Sequence, residues 1–427
     1  MQKNFSVPRG TSDILPDASP FWEALEFLAR KICKSYGYKE IRTPIYEDVN
    51  LFKRSLGATT DVVNKQLLEL ASSKEKEDEG LALRPEGTAA VVRSYIENSL
   101  DGKESLSKLF YLGPMFRGER PQKGRLRQFH QIGVEAIGPN STSPFLDAEV
   151  IALAMHLLKE MGVKDPQLKI NSLGSKEDKA RISNWLRTEL AKHTDKLCPE
   201  CRARFERNVF RVLDCKNESC RKVVAQIVKD LPLSVPSQEY FNQVQAALKN
   251  IGIPFEVAPH LVRGLDYYTH TVFEITAQGL GSQDAVGAGG RYNGLIHELG
   301  GNPKIDYGAI GFALGIERIL LAVGEPTIQP AGVAVFIMAM QEQYRPLIFL
   351  VLQLLRKSGI SADMSFTGGS MKSQMGKADK SGARFALIVG EEEVKNNCIA
   401  VKDMQASTQE TVALADIVEH LRKALST

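Results

Sequence analysis

Leu109-Phe110-Tyr111-Leu112-Gly113-Pro114-Met115-Phe116-Arg117-Gly118-Glu119-Arg120-Pro121-Gln122-Lys123-Gly124-Arg125-Leu126-Arg127-Gln128-Phe129 is the stretch on which the fold turns. A strand beginning at Lys108 runs to Arg117, a Gly-, Pro- and Arg-rich loop follows, and a second strand runs from Phe129 to Ile137. Two strands joined by so short a loop form a long antiparallel hairpin. Its tip gathers Arg117, Arg120, Lys123, Arg125 and Arg127 beside the aromatic Phe129. Such a cluster can neutralise a polyphosphate while the ring stacks on a base. A charged loop that is merely solvated has the same composition.

On the N-terminal side of the hairpin, Phe21, Leu25, Leu28 and Ile32 recur at helical spacing between Pro20 and Gly37, so the segment is an amphipathic helix with a start and a stop signal. Tyr38 to Thr43 alternates and halts at Pro44, as a strand does. Glu69 to Gly80 is charge-rich and reads as a loop. On the C-terminal side, Lys176 to Asn250 is helical and highly charged and is bracketed by Pro232, Pro236 and Pro254; a helical insertion over 176–257 is the expectation. Strands resume at Val272 to Thr276, and Gly308 to Leu321 passes from an apolar strand into a helix near Gly315.

Gly324 to Gly332, with Pro326 and Pro330, reads as a linker. Beyond it, apolar strands at Val333–Met340, Ile360–Phe366 and Arg384–Val389 alternate with helices at Gln341–Ser358, Ser370–Ser381 and near Asp416–Leu425. That alternation implies a small α/β domain with a mostly parallel sheet over 331–427. The larger domain is placed at 1–325, and the fold class is α+β.

Composition bounds the function without choosing it. The chain of 427 residues is too long for one core. Its 43% hydrophobic and 25% charged residues are those of a globular protein. Lys plus Arg number 54 against 51 Asp plus Glu, so the formal charge of +3 lacks the signature of a protein that coats nucleic acid. The apolar run Leu347 to Leu355 is too short for a membrane span, and Met1 to Gly10 has no apolar signal segment; the cytoplasm is the expected compartment.

Four of the six cysteines cluster as Cys198, Cys201, Cys215 and Cys220. Cys-x-x-Cys followed by a second pair is similar to a structural zinc site, although the second pair has four intervening residues and no knuckle glycine. Four reduced thiols are the other reading. Familiar nucleotide loops are missing: Met371 stands where a P-loop before Gly376-Lys377 needs Gly, and Gly279, Gly281, Gly287, Gly289 and Gly290 lack dinucleotide spacing. An ATP site has to be built differently.

Five strings in register supply a resemblance. Phe116-Arg117-Gly118-Glu119 resembles motif two of class II aminoacyl-tRNA synthetases, and Gly311-Phe-Ala-Leu-Gly315-Ile-Glu317-Arg318 resembles motif three; motif two is placed at about 108–137 and motif three at about 308–321. Tyr38 to Glu47, within 37–57, is similar to motif one, the family's dimer interface. Leu261-Val-Arg263-Gly-Leu-Asp-Tyr267-Tyr268 and Gly289-Gly-Arg291-Tyr292-Asn-Gly-Leu resemble the signatures of the histidyl-tRNA synthetase family. The match spans Val7 to Val323, and the terminal domain resembles that family's anticodon-binding domain.

The resemblance implies a class II antiparallel-sheet catalytic domain with a helical insertion, a C-terminal α/β anticodon-binding domain, and a homodimer. It also implies the substrates ATP, L-histidine and tRNA(His), with Mg2+. By resemblance Arg117 bridges the amino-acid carboxylate and the α-phosphate, and Arg263 lies on the opposite side; these two are the catalytic candidates. Two anions must be brought together, and a planar bidentate cation suits that task better than lysine. Glu119, Arg125, Phe129 and Arg318 are assigned to ATP. Glu86, Gly87, Thr88, Gln131, Glu135, Tyr267, Tyr268 and Tyr292 are assigned to histidine together with both arginines, Glu135 and Tyr268 facing the imidazole. Gln122, Lys123 and Arg127 are placed near the tRNA acceptor stem. Two competing readings are a catalytically silent paralogue that regulates histidine biosynthesis and a plain RNA-binding module. The first is disfavoured by the presence of Arg117, Glu119, Arg263, Arg318 and the terminal domain, the second by acidic residues such as Asp363, Asp379 and Glu391 to Glu393.

Overall fold

The computed structural model describes residues 5–57, 60, 62–71, 80–228, 231–281, 284–324 and 332–426. The chain divides into two compact units, Met1–Pro326 and Thr327–Thr427. Most of the stretch read as a charged loop, 72–79, and most of the linker, 325–331, lie outside the described residues.

The first unit is built on an eight-stranded sheet in the order Lys39–Glu40, Ser107–Phe116, Gln128–Pro139, Tyr307–Gly315, Ala285–Arg291, Thr269–Thr276, Gln167–Ser172, Glu256–Val257. The strands inside the two edges pair antiparallel, and each edge strand is added parallel. The hairpin lies within two residues of its expected bounds at each end, pairing Ser107 with Ile137 at one end and Phe116 with Gln128 at the other. The strand expected over Tyr38 to Thr43 is shorter, Lys39–Glu40, although Ile41 N still donates to Phe110 O at 2.8 Å.

Side chains alternate across a strand, so the two faces can serve different ends. Phe110, Ile132, Val134, Ala136, Ile310, Phe312 and Leu314 face a core closed by helices Ser19–Ser35, Pro144–Glu160 and Val235–Asn250. Leu109, Tyr111, Ile137 and Ala309 face the other way, with Tyr267, Tyr268 and Tyr292. Gln131, Gly133 and Glu135 share that second face by register.

The stretch read as a single helical insertion divides in two. Helices Lys176–Ala191, Pro199–Arg207 and Glu218–Ile227 pack with one another through Ile182, Leu186, Leu190, Val212, Val223 and Val224. Helix Val235–Asn250 instead buries Phe241, Val244 and Leu248 under the large sheet, and Glu256–Val257 joins the sheet as an edge strand. The last helix differs from the charged ones before it in composition, with Glu239 and Lys249 its only charged residues and its core-facing residues recurring at three and four.

The second unit has a five-stranded sheet in the order Ala362–Met364, Val335–Ala339, Phe385–Val389, Cys398–Asp403, Gln409–Ala413. Its first three strands are parallel, as expected, but the last two are antiparallel. The mostly parallel sheet of the sequence reading is therefore corrected to a mixed one. The added hairpin lacks a long apolar run, since an edge strand with one solvated face carries residues such as Gln409, Glu410 and Thr411.

Candidate active site

The pocket lies on the second face of the large sheet, beside the hairpin. Glu86, Thr88, Arg117, Glu119, Arg125, Phe129, Gln131, Arg263, Tyr267, Tyr268, Tyr292 and Arg318 all line it. The sequence reading drew these from five separated segments, and the fold brings them to one place. Gly87 and Glu135 lie just beneath the lining, as contacts described below show. Gln122, Lys123 and Arg127 are exposed on the hairpin loop and do not line the pocket. That loop is closed by Gln122 N to Arg125 O at 3.0 Å and Arg125 N to Gln122 O at 2.8 Å. Its base is fastened by Arg127 N to Gly10 O at 2.7 Å, so the N-terminal segment braces the loop.

Two arginines flank the pocket under different restraints. Arg117 Nε donates to Pro85 O at 2.9 Å, and its guanidinium lies 5.1 Å from the centre of the Phe129 ring. Burial lowers the Arg117 pKa from its ordinary value, with the neighbouring Glu119 and Glu86 opposing the shift. Arg263 Nη1 pairs with Glu274 Oε2 at 2.6 Å, while its Nε is buried without a hydrogen-bond partner. Gln131 Oε1 is likewise buried and unpartnered. Buried polar atoms are normally satisfied, so two such atoms in one pocket point to a ligand with polar groups.

The inner end is a closed hydroxyl–carboxylate cluster. Glu135 is fully buried; it accepts from Thr88 Oγ1 at 2.8 Å, from Tyr292 Oη, and from Tyr111 Oη at 3.5 Å. Burial pushes its carboxyl up to about 8, against the hydrogen bonds from Tyr292 and Thr88 that pull it down. Tyr267 packs on Tyr268 with ring centres 4.6 Å apart and edge-on to Tyr292 at 5.7 Å. Glu86 is set by its own helix terminus, accepting from Thr88 N at 2.6 Å and Ala89 N at 2.9 Å.

Close approach explains two glycines. A Cβ on Gly311 would stand 1.9 Å from Glu135 Oε2, and one on Gly87 would stand 2.3 Å from the Tyr111 ring. Two other contributors, Tyr111 and Glu274, were given no role from sequence. Tyr111 could have been found as the one aromatic in the hairpin strand two residues from Leu109 on the same face. Glu274 is a lone carboxylate in the apolar strand Thr269–Thr276, a pattern that asks for a cationic partner. Glu317 accepts from His130 N at 2.9 and 3.0 Å and lies 2.9 Å from its Nδ1, pinning motif three to the hairpin. Arg318 donates from Nε to Gly124 O at 2.9 Å and from Nη1 to Ala285 O at 2.7 Å.

An antiparallel sheet that brings paired arginines together from a hairpin and a loop, with no Gly-rich turn into a helix, is the architecture of the class II aminoacyl-tRNA synthetases. Residues 10–319 match the family described as histidyl-tRNA synthetase, and 333–424 match the anticodon binding domain. The chain belongs to the histidyl-tRNA synthetase family. It is 46% identical over 421 residues to a histidine–tRNA ligase of Halothermothrix orenii, covering 98% of this chain and 99% of the relative. The apo histidyl-tRNA synthetase of Staphylococcus aureus superposes with a TM-score of 0.79 at 38% identity, over 98% of this chain and all of the other. A Bacillus halodurans protein titled as an ATP phosphoribosyltransferase regulatory subunit/histidyl-tRNA synthetase shares the fold, with TM-score 0.62 and 18% identity over 92% of this chain and all of the other.

Proposed function

We propose that the chain is a histidine–tRNA ligase: it activates L-histidine with ATP to histidyl-adenylate and pyrophosphate, then transfers histidine to the 3′ end of tRNA(His). The observation that carries this reading is the convergence of Arg117 and Arg263 on a pocket whose inner end is the buried Glu135 cluster. A carboxylate oxygen of histidine attacks the α-phosphorus of ATP as the bond to pyrophosphate breaks. The two arginines, as the catalytic residues, hold both anions in line. The ribose hydroxyl at the tRNA 3′ end then attacks the activated carbonyl, and AMP leaves.

Glu135 and Tyr268 take the imidazole; Tyr267 and Tyr292 wall it; Glu86, Thr88 and Gln131 take the α-amino group, the unpartnered Gln131 oxygen being available to accept from it. Glu119 meets the adenine amino group, Phe129 and Arg318 flank the ring, and Arg125 faces the phosphates. A site that leaves buried hydroxyls and carboxylates unpaired rejects an apolar isostere of its substrate strongly. Gln122, Lys123 and Arg127 stand on the exposed loop, where they position the acceptor stem.

Magnesium enters with ATP in this reading. Among the described residues, no group of three or more His or carboxylate donors converges in the pocket. Glu274 is engaged by Arg263 and Glu317 by His130, so the residues do not form a resident magnesium cage.

The terminal unit reads the tRNA anticodon, and two copies associate through the motif-one region, where Ile45 and Tyr46 are exposed. No helix among the described residues is long and apolar enough to cross a membrane, in keeping with work in the cytoplasm.

The test is amino-acid-dependent ATP–pyrophosphate exchange with each standard amino acid, beside Arg263→Ala. Exchange with histidine alone, lost in the variant, supports the ligase. Absence of exchange from folded protein overturns it and favours a regulatory paralogue.

A further inference from the structure

Away from the catalytic pocket, among the described residues, one group of metal-ligating side chains converges: Cys198, Cys201, Cys215 and Cys220, whose Sγ atoms all lie within 4.8 Å of one another. A tetrahedral tetrathiolate with bonds of about 2.3 Å holds its sulfurs about 3.8 Å apart. Cys198 Sγ and Cys215 Sγ are already 3.9 Å apart. All four cysteines are free of disulfides. Two disulfides would draw the sulfurs into separate pairs, whereas here each sulfur is close to all the others. An iron–sulfur cluster carries its thiolates on different irons and spreads them more widely than one ion does.

The local structure is what such a site requires. Cys198 caps helix Pro199–Arg207 and Cys201 sits in its first turn. Cys215 precedes helix Glu218–Ile227, and Cys220 lies in its first turn. Four thiolates around one divalent ion carry excess negative charge, and backbone donors already point at three of the sulfurs. Cys201 N lies 3.4 Å from Cys198 Sγ, Asn217 N 3.4 Å from Cys215 Sγ, and Cys198 N 3.2 Å from Cys220 Sγ. Helix N-termini favour the same charge. Cys201 and Cys220 are fully buried in the same apolar cluster as Leu197, Val212 and Val223.

We propose that Cys198, Cys201, Cys215 and Cys220 bind one zinc ion as a closed structural site in the helical insertion. Four protein ligands leave no open position, so the ion is structural and takes no part in chemistry. It ties together two short helices whose connection touches the catalytic region. From that connection Asn208 Nδ2 donates to Asp266 Oδ1 at 2.9 Å, and Arg211 Nη1 reaches Arg263 O at 3.5 Å. The metal thereby holds the backbone beneath Arg263 by fixing the two helix starts on either side of the 208–217 connection.

The test uses the full-length chain, purified reduced and incubated with Zn2+ or Co2+ before removal of unbound metal. Elemental analysis is expected to give one zinc per chain, and the cobalt form to show thiolate-to-cobalt charge transfer with tetrahedral ligand-field bands. Cys201→Ser and, as a half-exposed alternative that spares the buried packing, Cys215→Ser are each expected to lose at least about nine-tenths of the metal. Wild-type protein that takes up neither metal in stoichiometric amount overturns the proposal, as does iron with acid-labile sulfide, or variants that retain full zinc.

Discussion

Gly311 and Glu135 sit opposite each other on neighbouring strands so closely that a Cβ on the first would stand 1.9 Å from Oε2 of the second. Gly311→Ala is expected to displace the carboxylate and lower kcat/KM for histidine by about a hundredfold, because small misplacements at a reacting pocket are costly. The KM for ATP should move by less than about twofold. Equal losses for both substrates in exchange assays would show that the contact does not serve histidine.

Glu135 also gives a pH prediction. In the unfolded chain a glutamate ionises near 4.5, whereas burial holds the native carboxyl's proton up to about 8. The stability this proton linkage contributes is complete below 4.5 and is lost as pH rises toward 8. Glu135→Gln removes the linkage, so its stability relative to wild type should increase between pH 5 and 8, as read by thermal denaturation. On the proposed assignment of Glu135 to the imidazole, the same variant should also raise the KM for histidine by on the order of a hundredfold, since one carboxyl oxygen is replaced by an amide donor. A stability gap that stays flat with pH would contradict the assignment.

Glu274 Oε2 is engaged by Arg263 Nη1 at 2.6 Å, so its expected part is to position that arginine. Glu274→Gln is expected to lower kcat in pyrophosphate exchange about tenfold with little change in either KM. A rise in KM with unchanged kcat would instead mark Glu274 as a ground-state binding residue.

The exposed hairpin loop should separate the two half-reactions. Gln122→Ala and Arg127→Ala are expected to leave adenylate formation within about twofold of wild type and to slow transfer to tRNA about tenfold or more, because phosphate contacts fix register without touching ATP. Single-turnover transfer from preformed adenylate measures this, and unchanged transfer would remove these residues from tRNA contact.

Asp147 and Arg291 form an ion pair with both side chains fully buried, and Asp147 also accepts from Thr271 Oγ1 at 2.6 Å. Asp147→Ala leaves the guanidinium buried without its counter-charge and is expected to cost about 3–5 kcal/mol in chemical denaturation. Adding Arg291→Met should restore a large part of the loss. Failure of the second change to help would locate the penalty in packing.

Patterns that depend on near neighbours were legible in the sequence. The hairpin of Ser107–Phe116 and Gln128–Pro139 could be read because an apolar strand and a Gly-, Pro- and Arg-rich turn are local signals. The segments carrying Arg117, Arg263, Tyr292 and Arg318 were visible as strings, while their meeting in one pocket is a property of strand order, which no local pattern encodes. Helix Val235–Asn250 reads with the insertion because Pro232, Pro236 and Pro254 bracket the whole stretch, although its apolar residues pack under the large sheet. Glu274 and Tyr111 were passed over because their significance comes from partners far along the chain, Arg263 by eleven residues and Glu135 by twenty-four. The edge strand Gln409–Ala413 is not legible because one wet face leaves it without an apolar run, and without it Cys398–Asp403 offers only four apolar residues.

Strand Gln128–Pro139 has a double allegiance: Gln131 and Glu135 on one side, Ile132, Val134 and Ala136 on the other. A point replacement can alter either side alone. A single-residue insertion or deletion between Phe129 and Glu135 has no such freedom, since it would turn the Glu135 carboxylate into the apolar layer and the apolar residues toward the pocket at one stroke. Substrate choice and foldability are thus written on the same ribbon in interleaved letters, and new specificities along this strand are reachable by spelling changes but closed to changes of length.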